Sequence, residues 1–281
     1  MRELCLHTPL GKLTGLRAGR EGAPRVLALH GWLDNAASFA PMLPHLQDFD
    51  VAALDLPGHG HSFHRPPGAS YGLPEYLDDL LNALDALGWA RCHVLGHSLG
   101  GAISSLLACA APERVERLAL IEALGPLAGA PGSAAERLRQ ALRDRRAIAA
   151  KQLRVFPDIA TAMRARMHAN NLSEPVARLL VERGIAPVEG GFVWRTDPRL
   201  TTTTALRADE GTVREWIAGI AAPTLVIAAA QAPPYFDAAL RAARVACLRD
   251  GRSLVLPGAH HLHMETPEPV AEAVRGFLRS Q

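Results

Sequence analysis

A chain of 281 residues with 48% apolar side chains has ample material for a hydrophobic core, which excludes a disordered or collagen-like protein. Thirty basic side chains against 28 acidic ones leave a formal net charge of only +2, so the overall balance points neither to nucleic acid nor to an anionic membrane as partner. Four cysteines, Cys5, Cys92, Cys109 and Cys247, stand far apart with no CxxC pair and suit a reducing compartment. Met1 to Leu16 carries charges and a proline where a signal peptide would have an apolar segment, and no run reaches the ~18 apolar residues of a membrane span. The expectation is a cytoplasmic protein.

Arg2–His7 and Leu13–Ala18 flank Pro9–Gly11 and predict an N-terminal hairpin. Short apolar runs then alternate with helical stretches, the pattern of a mainly parallel sheet flanked by helices, and the expected class is α/β. The predicted strands are Val26–Leu29, Val51–Leu54, Cys92–Leu95, Leu118–Ile121, Leu225–Ala229 and Ser253–Leu256. The predicted helices are Ala36–Leu46, Pro74–Leu87, Leu99–Ala110, Asp209–Ile220, Pro234–Val245 and Pro267–Arg279.

One segment breaks the alternation. Between about Pro126 and Ala208 there is no clean strand, but there are arginine-rich amphipathic stretches such as Ala134–Gln152. Residues 126–208 carry 14 basic and 7 acidic side chains, a net +7, which leaves the remainder at −5. The expected organisation is a core of 1–125 and 209–281 with a helical cap insertion at 126–208. Solvated helix faces account for the charge, attraction of an anionic substrate being the next reading. A nucleic-acid-binding arm is the alternative, but aromatic residues are few and no binding motif appears.

Gly96-His97-Ser98-Leu99-Gly100 follows the apolar strand Cys92–Leu95 and opens the helix Leu99–Ala110, so its G-x-S-x-G pattern sits in a strand–turn–helix context. Glycines two residues before and after the serine remove the Cβ atoms that a tight turn would crowd, and the turn aims Ser98 at a helix N-terminus. That is the placement of a nucleophile. His30-Gly31-Trp32 ends the strand Val26–Leu29, where a backbone N–H could join the one after the nucleophile in an oxyanion hole; this selects Trp32 and Leu99. His30 itself is expected to order the loop. His59, His61 and His64 are closely spaced, yet no H-E-x-x-H or comparable ligand pattern accompanies them, so the loop Asp55–Ser62 is read as structural and no metal or cofactor is expected. A serine hydroxyl is a poor nucleophile until an imidazole accepts its proton, and beyond the last strand lie His260, His261 and His263. Spacing alone does not choose among them.

The ordered set His30-Gly31, Asp55-Leu56-Pro57-Gly58-His59-Gly60, Gly96-His97-Ser98-Leu99-Gly100-Gly101 and Gly258-x-His260 resembles the α/β-hydrolase superfamily over nearly the whole chain apart from the insertion. His30-Gly31-Trp32-Leu33-Asp34-Asn35 resembles, more narrowly, the serine-hydrolase-like branch. In relatives the catalytic histidine precedes a glutamate by five residues in G-H-x-x-x-x-E-x-P. Glu265 and Pro267 keep that frame and select His260, with Ala259 where many relatives have glycine. Ser98 in place of aspartate argues against haloalkane dehalogenase and epoxide hydrolase chemistry.

The triad acid departs from the commoner pattern. Many relatives carry an aspartate just after the strand equivalent to Leu225–Ala229, whereas this chain reads Ala228-Ala229-Ala230-Gln231-Ala232-Pro233-Pro234. Asp237 comes next but falls inside a predicted helix. Glu122, at the end of Leu118–Ile121, matches the position used by a subset of relatives, and a charge directly after four apolar strand residues is otherwise costly. Glu122 is the favoured acid, with Asp237, or no functional acid, as the alternatives. The resemblance thus implies a carboxylesterase-like serine hydrolase of small-molecule esters or thioesters, working without a cofactor and with no nucleic-acid or membrane partner. The alternatives are a hydrolase of carbon–carbon bonds beside a carbonyl, and a ligand receptor with little turnover.

Overall fold

Apolar runs with no polar alternation need cover on both faces, and here they stand in the middle of one sheet. The structure, a computed structural model, describes residues 1–148 and 153–280. Its eight-stranded sheet contains β1 (Arg2–Thr8), β2 (Gly11–Gly19), β3 (Arg25–Leu29), β4 (Asp50–Leu54), β5 (Cys92–His97), β6 (Val115–Ile121), β9 (Thr224–Ala229) and β10 (Gly251–Leu256), in the order β1-β2-β4-β3-β5-β6-β9-β10. β1, β2 and β4 pair antiparallel and every other neighbour is parallel. The predicted strands and the N-terminal hairpin all lie within these elements. Alternate residues divide between two cores. Leu27, Leu29, Val94, Leu118, Leu120 and Val226 face α1 (Leu73–Ala86), α2 (Leu99–Ala110) and α6 (Glu210–Ala218). Val26, Ala28, Leu95, Ala119, Ile121 and Ile227 face the opposite side.

α9 (Pro267–Arg279) shows how that second side is closed. Proline stands in its first turn, Glu268 near its N-terminus and Arg279 near its C-terminus, matching the helix dipole at both ends. Val270, Val274 and Phe277 recur at helical spacing and are buried against the sheet, each burial contributing roughly 1.5–3 kcal/mol.

Two predicted helices are different in detail. Ala36–Leu46 is two short 3-10 turns, Ala36–Phe39 and Leu43–His45, separated by Ala40-Pro41-Met42. Pro234–Val245 is a 3-10 turn followed by α7 (Ala238–Val245). Asp237 precedes α7 as its N-cap, accepting from Leu240 N at 2.8 Å.

The segment between β6 and α6 holds α3 (Ala134–Ile148), α4 (Ile159–Asn170) and α5 (Glu174–Gly184). The part of the predicted helix Ala134–Gln152 beyond residue 148 lies outside the described residues. Contrary to the expectation of no strand, the segment also contains a hairpin, β7 (Ile185–Val188) with β8 (Gly191–Trp194), turning through Glu189-Gly190 with Gly190 at φ 81°. Phe156, Ala162, Met163, Val181 and Ile185 form a small core beneath it.

The charge of this segment is not explained by solvated faces alone. Arg166, Arg183 and Arg199 turn inward. The Arg199 guanidinium reaches the carbonyls of Arg65, Pro66 and Ala69 while Asp197 accepts from Tyr71 Oη at 2.7 Å. Arg183 Nε lies 2.9 Å from Asp55 Oδ1, and its Nη1 lies 2.8 Å from Glu3 Oε1. Asp55 also accepts from the backbone of Ala36 and His61. Burial would raise its pKa, but the hydrogen bond and charge of Arg183 outweigh that and hold it below the usual range. A carboxyl with a lowered folded pKa stabilises above its unfolded value near ~3.9 and loses that contribution as pH falls. Arg183→Ala leaves the carboxylate buried without its cation and should cost about 3–5 kcal/mol at neutral pH. In thermal melts, the gap between variant and wild type should narrow towards pH ~4, as the Asp55 carboxyl of the variant, no longer held down by the arginine, takes up a proton; a gap independent of pH would refute this account.

Candidate active site

The turn from β5 into α2 puts Ser98 at φ 50° and ψ −111°, a conformation that costs on the order of 1–3 kcal/mol in a non-glycine residue. Its surroundings hold it there. Ser98 N donates to Ile121 O at 3.0 Å, and Gly100 N donates to His30 O at 3.0 Å. A Cβ on Gly100 would stand 2.0 Å from Leu29 O, and one on Gly96 would stand 2.6 Å from Ser104 Oγ. Only a chain without Cβ atoms at both places can make this turn so close to β3.

β6 ends beside it. Glu122 follows Ile121 with φ 58°, and its side chain has no solvent exposure. Both carboxylate oxygens find nitrogen partners: Oε1 accepts from Ala229 N at 2.6 Å, and Oε2 lies 3.2 Å from His260 Nδ1. The partly exposed His260 reaches this edge from the loop between β10 and α8 (Leu262–Glu265), and its carbonyl oxygen accepts from His97 Nε2 at 2.9 Å. The backbone of His260 is therefore fastened to the residue that precedes Ser98. Among the described residues no hydrogen bond joins Ser98 Oγ to His260. The arrangement offers a hydroxyl on a strained turn and an imidazole whose Nδ1 is paired with a buried carboxylate, which leaves Nε2 to exchange protons.

Trp32 and Leu99, the predicted oxyanion pair, are both at the carboxyl edge of the sheet. Neither backbone N–H donates to a protein acceptor among the described residues. The Trp32 indole N–H donates to Leu200 O at 2.9 Å, so its exposed ring bridges to the insertion. His30 is a loop organiser, as expected: Nε2 accepts from Leu56 N at 3.0 Å while Nδ1 donates to Gly31 O at 2.7 Å. His59 likewise accepts from Leu33 N, and burial pushes it down to about 3. His64 stands 3.5 Å from Asp197, and among the described residues no group of three or more His, Cys, Asp or Glu side chains is arranged to hold a metal ion.

The three C-terminal histidines have different surroundings. Only His260 meets Glu122. His263 lies fully buried, 2.9 Å from Ser38 Oγ, and burial, with His261 beside it, pushes it down to about 3. His261 Nε2 faces Asp34 Oδ2 at 3.4 Å, and His97 Nδ1 faces the same oxygen at 3.8 Å. Burial, then the neighbouring imidazoles, push His97 well below its ordinary value. Asp34, missed as a functional candidate although it lies in the His30–Asn35 run, thus sits among these rings.

The profile described as alpha/beta hydrolase fold matches residues 24–267. The chain is 32% identical to the Serine hydrolase-like protein 2 of Homo sapiens, over 99% of this chain and 94% of that one. It is 28% identical to the Serine hydrolase-like protein of Danio rerio, over 99% and 89%. A solved hypothetical protein of Pseudomonas aeruginosa PAO1 superposes with a TM-score of 0.94 at 38% identity over the whole of both chains. The thioesterase domain from the curacin biosynthetic pathway shares the fold, with a TM-score of 0.88 at 24% identity over 98% of this chain and 99% of that one. The chain belongs to the alpha/beta hydrolase fold family, in the branch of the serine hydrolase-like proteins.

Proposed function

We propose that this hydrolase is a serine carboxylesterase-like enzyme acting on small carboxylic esters or thioesters. Ser98 Oγ attacks the carbonyl carbon while His260 Nε2 takes its proton, and Glu122 holds the opposite face of the imidazole as Nδ1–H. The Trp32 and Leu99 amides receive the negative charge that develops on the carbonyl oxygen. His260 then returns the proton to the departing alcohol or thiol. Water, deprotonated by the same imidazole, attacks the acyl-enzyme, and Ser98 leaves with the proton restored. The observation that carries this reading is the Glu122–His260 pair at 3.2 Å, beside a serine held on a strained strand-to-helix turn.

The segment 126–208 is read as a cap over this edge. Its support is positional: Leu200 holds the indole of Trp32, and Leu180 O accepts from Asn35 Nδ2 at 2.9 Å, so the insertion rests on the loop that carries a proposed oxyanion amide. Among the described residues no helix is long and apolar enough to cross a membrane.

A fluorophosphonate should label Ser98 in the folded protein and leave Ser98→Ala unlabelled; labelling elsewhere in the folded wild type would remove the serine-hydrolase reading. The acid has its own test. Glu122→Gln should remain folded and lose on the order of 10³–10⁴ in kcat, because the imidazole loses its tautomer and its counter-charge, whereas Asp237→Asn should keep wild-type turnover. The reverse ranking would move the acid to Asp237, which in this structure only caps α7. For the cap, Trp32→Phe removes the indole link to Leu200 and should lower kcat/KM for long-chain esters several-fold more than for an acetate. Equal loss on both would separate the insertion from substrate choice.

A further inference from the structure

Two residues of the His30–Asn35 run, Asp34 and Asn35, have no part in the proposed chemistry, and both reach the insertion. Asn35 Nδ2 donates to Leu180 O at 2.9 Å, and Asp34 Oδ1 takes the Arg166 guanidinium from α4. The other oxygen of Asp34 points the opposite way, towards His261 Nε2 at 3.4 Å and His97 Nδ1 at 3.8 Å. His97 Nε2 in turn reaches His260 O at 2.9 Å. A carbonyl only accepts, so the His97 proton sits on Nε2, and Nδ1 of the neutral ring meets the carboxylate as a second acceptor. Gly31 makes the approach possible, since a Cβ there would lie 2.8 Å from His97 Nδ1 and 3.0 Å from Asp34 Oδ2.

This cluster is buried and only partly satisfied. Asp34 Oδ2, His97 Nδ1, His263 Nδ1 and Arg166 Nε have no hydrogen-bond partner among the described residues. Burial works against the charge on Asp34, but the charges of His261 and Arg166 outweigh it and hold the carboxyl well below its ordinary range. One permanent cation therefore balances one anion, and the rings around them see a neutral pair. Those rings are His261 and His97 in front of Asp34, with His263 beside His97, and His30 and His59 on the other side of the 31–34 turn. The ring of His260 lies 4.8 Å from that of His97, 5.2 Å from that of His261 and 6.2 Å from that of Tyr235, centroid to centroid, and its Nδ1 lies 3.2 Å from Glu122 Oε2. Unbalancing the pair must change how readily this group of imidazoles takes a proton.

We infer that Arg166 and Asp34 are positioning residues for His260, joining the helical insertion to the imidazole that moves the proton. The inference rests on the reading of His260 as the catalytic base. The insertion supplies the cation, the loop after β3 supplies the anion, and the rings of His97 and His261 stand between that pair and the imidazole of His260. Removal of the cation leaves a bare buried carboxylate beside the histidines, and removal of the anion leaves a bare guanidinium.

The two removals have opposite signs, which a merely structural role does not give. In Arg166→Gln the histidines are easier to protonate, so the acid limb of the kcat/KM profile for a small acetate ester should move to higher pH by about 0.5 unit. The turnover number should fall about ten-fold as the His260 loop loosens. In Asp34→Asn the limb should move to lower pH. The double variant Arg166→Gln/Asp34→Asn is neutral again, and its limb should return to within about 0.2 unit of wild type. Tyr71→Phe loosens a different anchor of the insertion, the Tyr71–Asp197 contact, without touching the cluster, and should leave the limb in place. The titration of the His260 imidazole, followed by NMR in the same four variants, needs no turnover and should shift in the same directions. A limb and an imidazole titration that do not move, or that move alike in both single variants, would overturn the inference. Opposed shifts of His260 in a protein that hydrolyses no ester would keep the coupling and sink the esterase reading instead.

Discussion

Glu122 stands at the carboxyl edge of β6 with its backbone in the left-handed region and its carboxylate removed from water, so its charge must be met by groups of the protein itself. Two elements far apart in the chain answer that demand, β9 through the Ala229 amide and the loop after β10 through His260. Neither the sheet order nor the C-terminal loop is free to vary while this pairing holds. β9 must lie next to β6, which it does in parallel register, and the loop after β10 must return across the strand ends. The turn at Ser98 is fixed in the same neighbourhood by the Ile121 carbonyl, one residue before Glu122. Ser98, Glu122 and His260 are thus referred to a single strand end.

A second constraint is electrostatic. The insertion carries an excess of positive charge and the core an excess of negative charge, and the two are joined where those charges are most costly to bury. Arg183 meets Asp55 just past the end of β4, and Arg166 meets Asp34 beside the histidines. Breaking such a pair costs more than the pair itself contributes, because the remaining ion stays out of water. The insertion is consequently held by a few points whose loss is severe. Arg178–Glu174 and Arg143–Glu136, on exposed faces, contribute little by comparison.

The parallel strands were legible because buried strands read as unbroken Val, Leu, Ile and Ala, and Leu99–Ala110 was legible because a G-x-S-x-G turn announces its start. The Ser98 motif was legible in its own strand–turn–helix context, whereas His260 and Glu122 were singled out by the resemblance to relatives, and the structure brings these two within 3.2 Å. What could not be read was of two kinds. Ala36–Leu46 has helical composition, but Pro41 stands between its two single turns. The hairpin Ile185–Trp194 is made of two four-residue strands whose only local signal is Glu189-Gly190. The inward arginines form the other kind. Arg166 finds Asp34 across 132 positions and Arg183 finds Asp55 across 128, and no periodicity or spacing rule reaches so far. Nothing distinguishes these two arginines, in sequence, from Arg178 on the solvent side.

Arg183 has one more consequence, and it concerns the order in which the chain is made. Asp55 and Glu3 are synthesised long before the arginine that neutralises them, and the ~130 residues between Asp55 and Arg183 include the Ser98 turn and most of the insertion. A nascent chain that has completed β1 to β6 carries Asp55 without the guanidinium that faces it in the folded protein. The N-terminal half is therefore not a self-sufficient unit that waits for a decoration. It reaches its final free energy only after the segment 126–208 has been translated and folded back onto it, so a truncation between Pro126 and Arg183 also removes the counter-ion of Asp55.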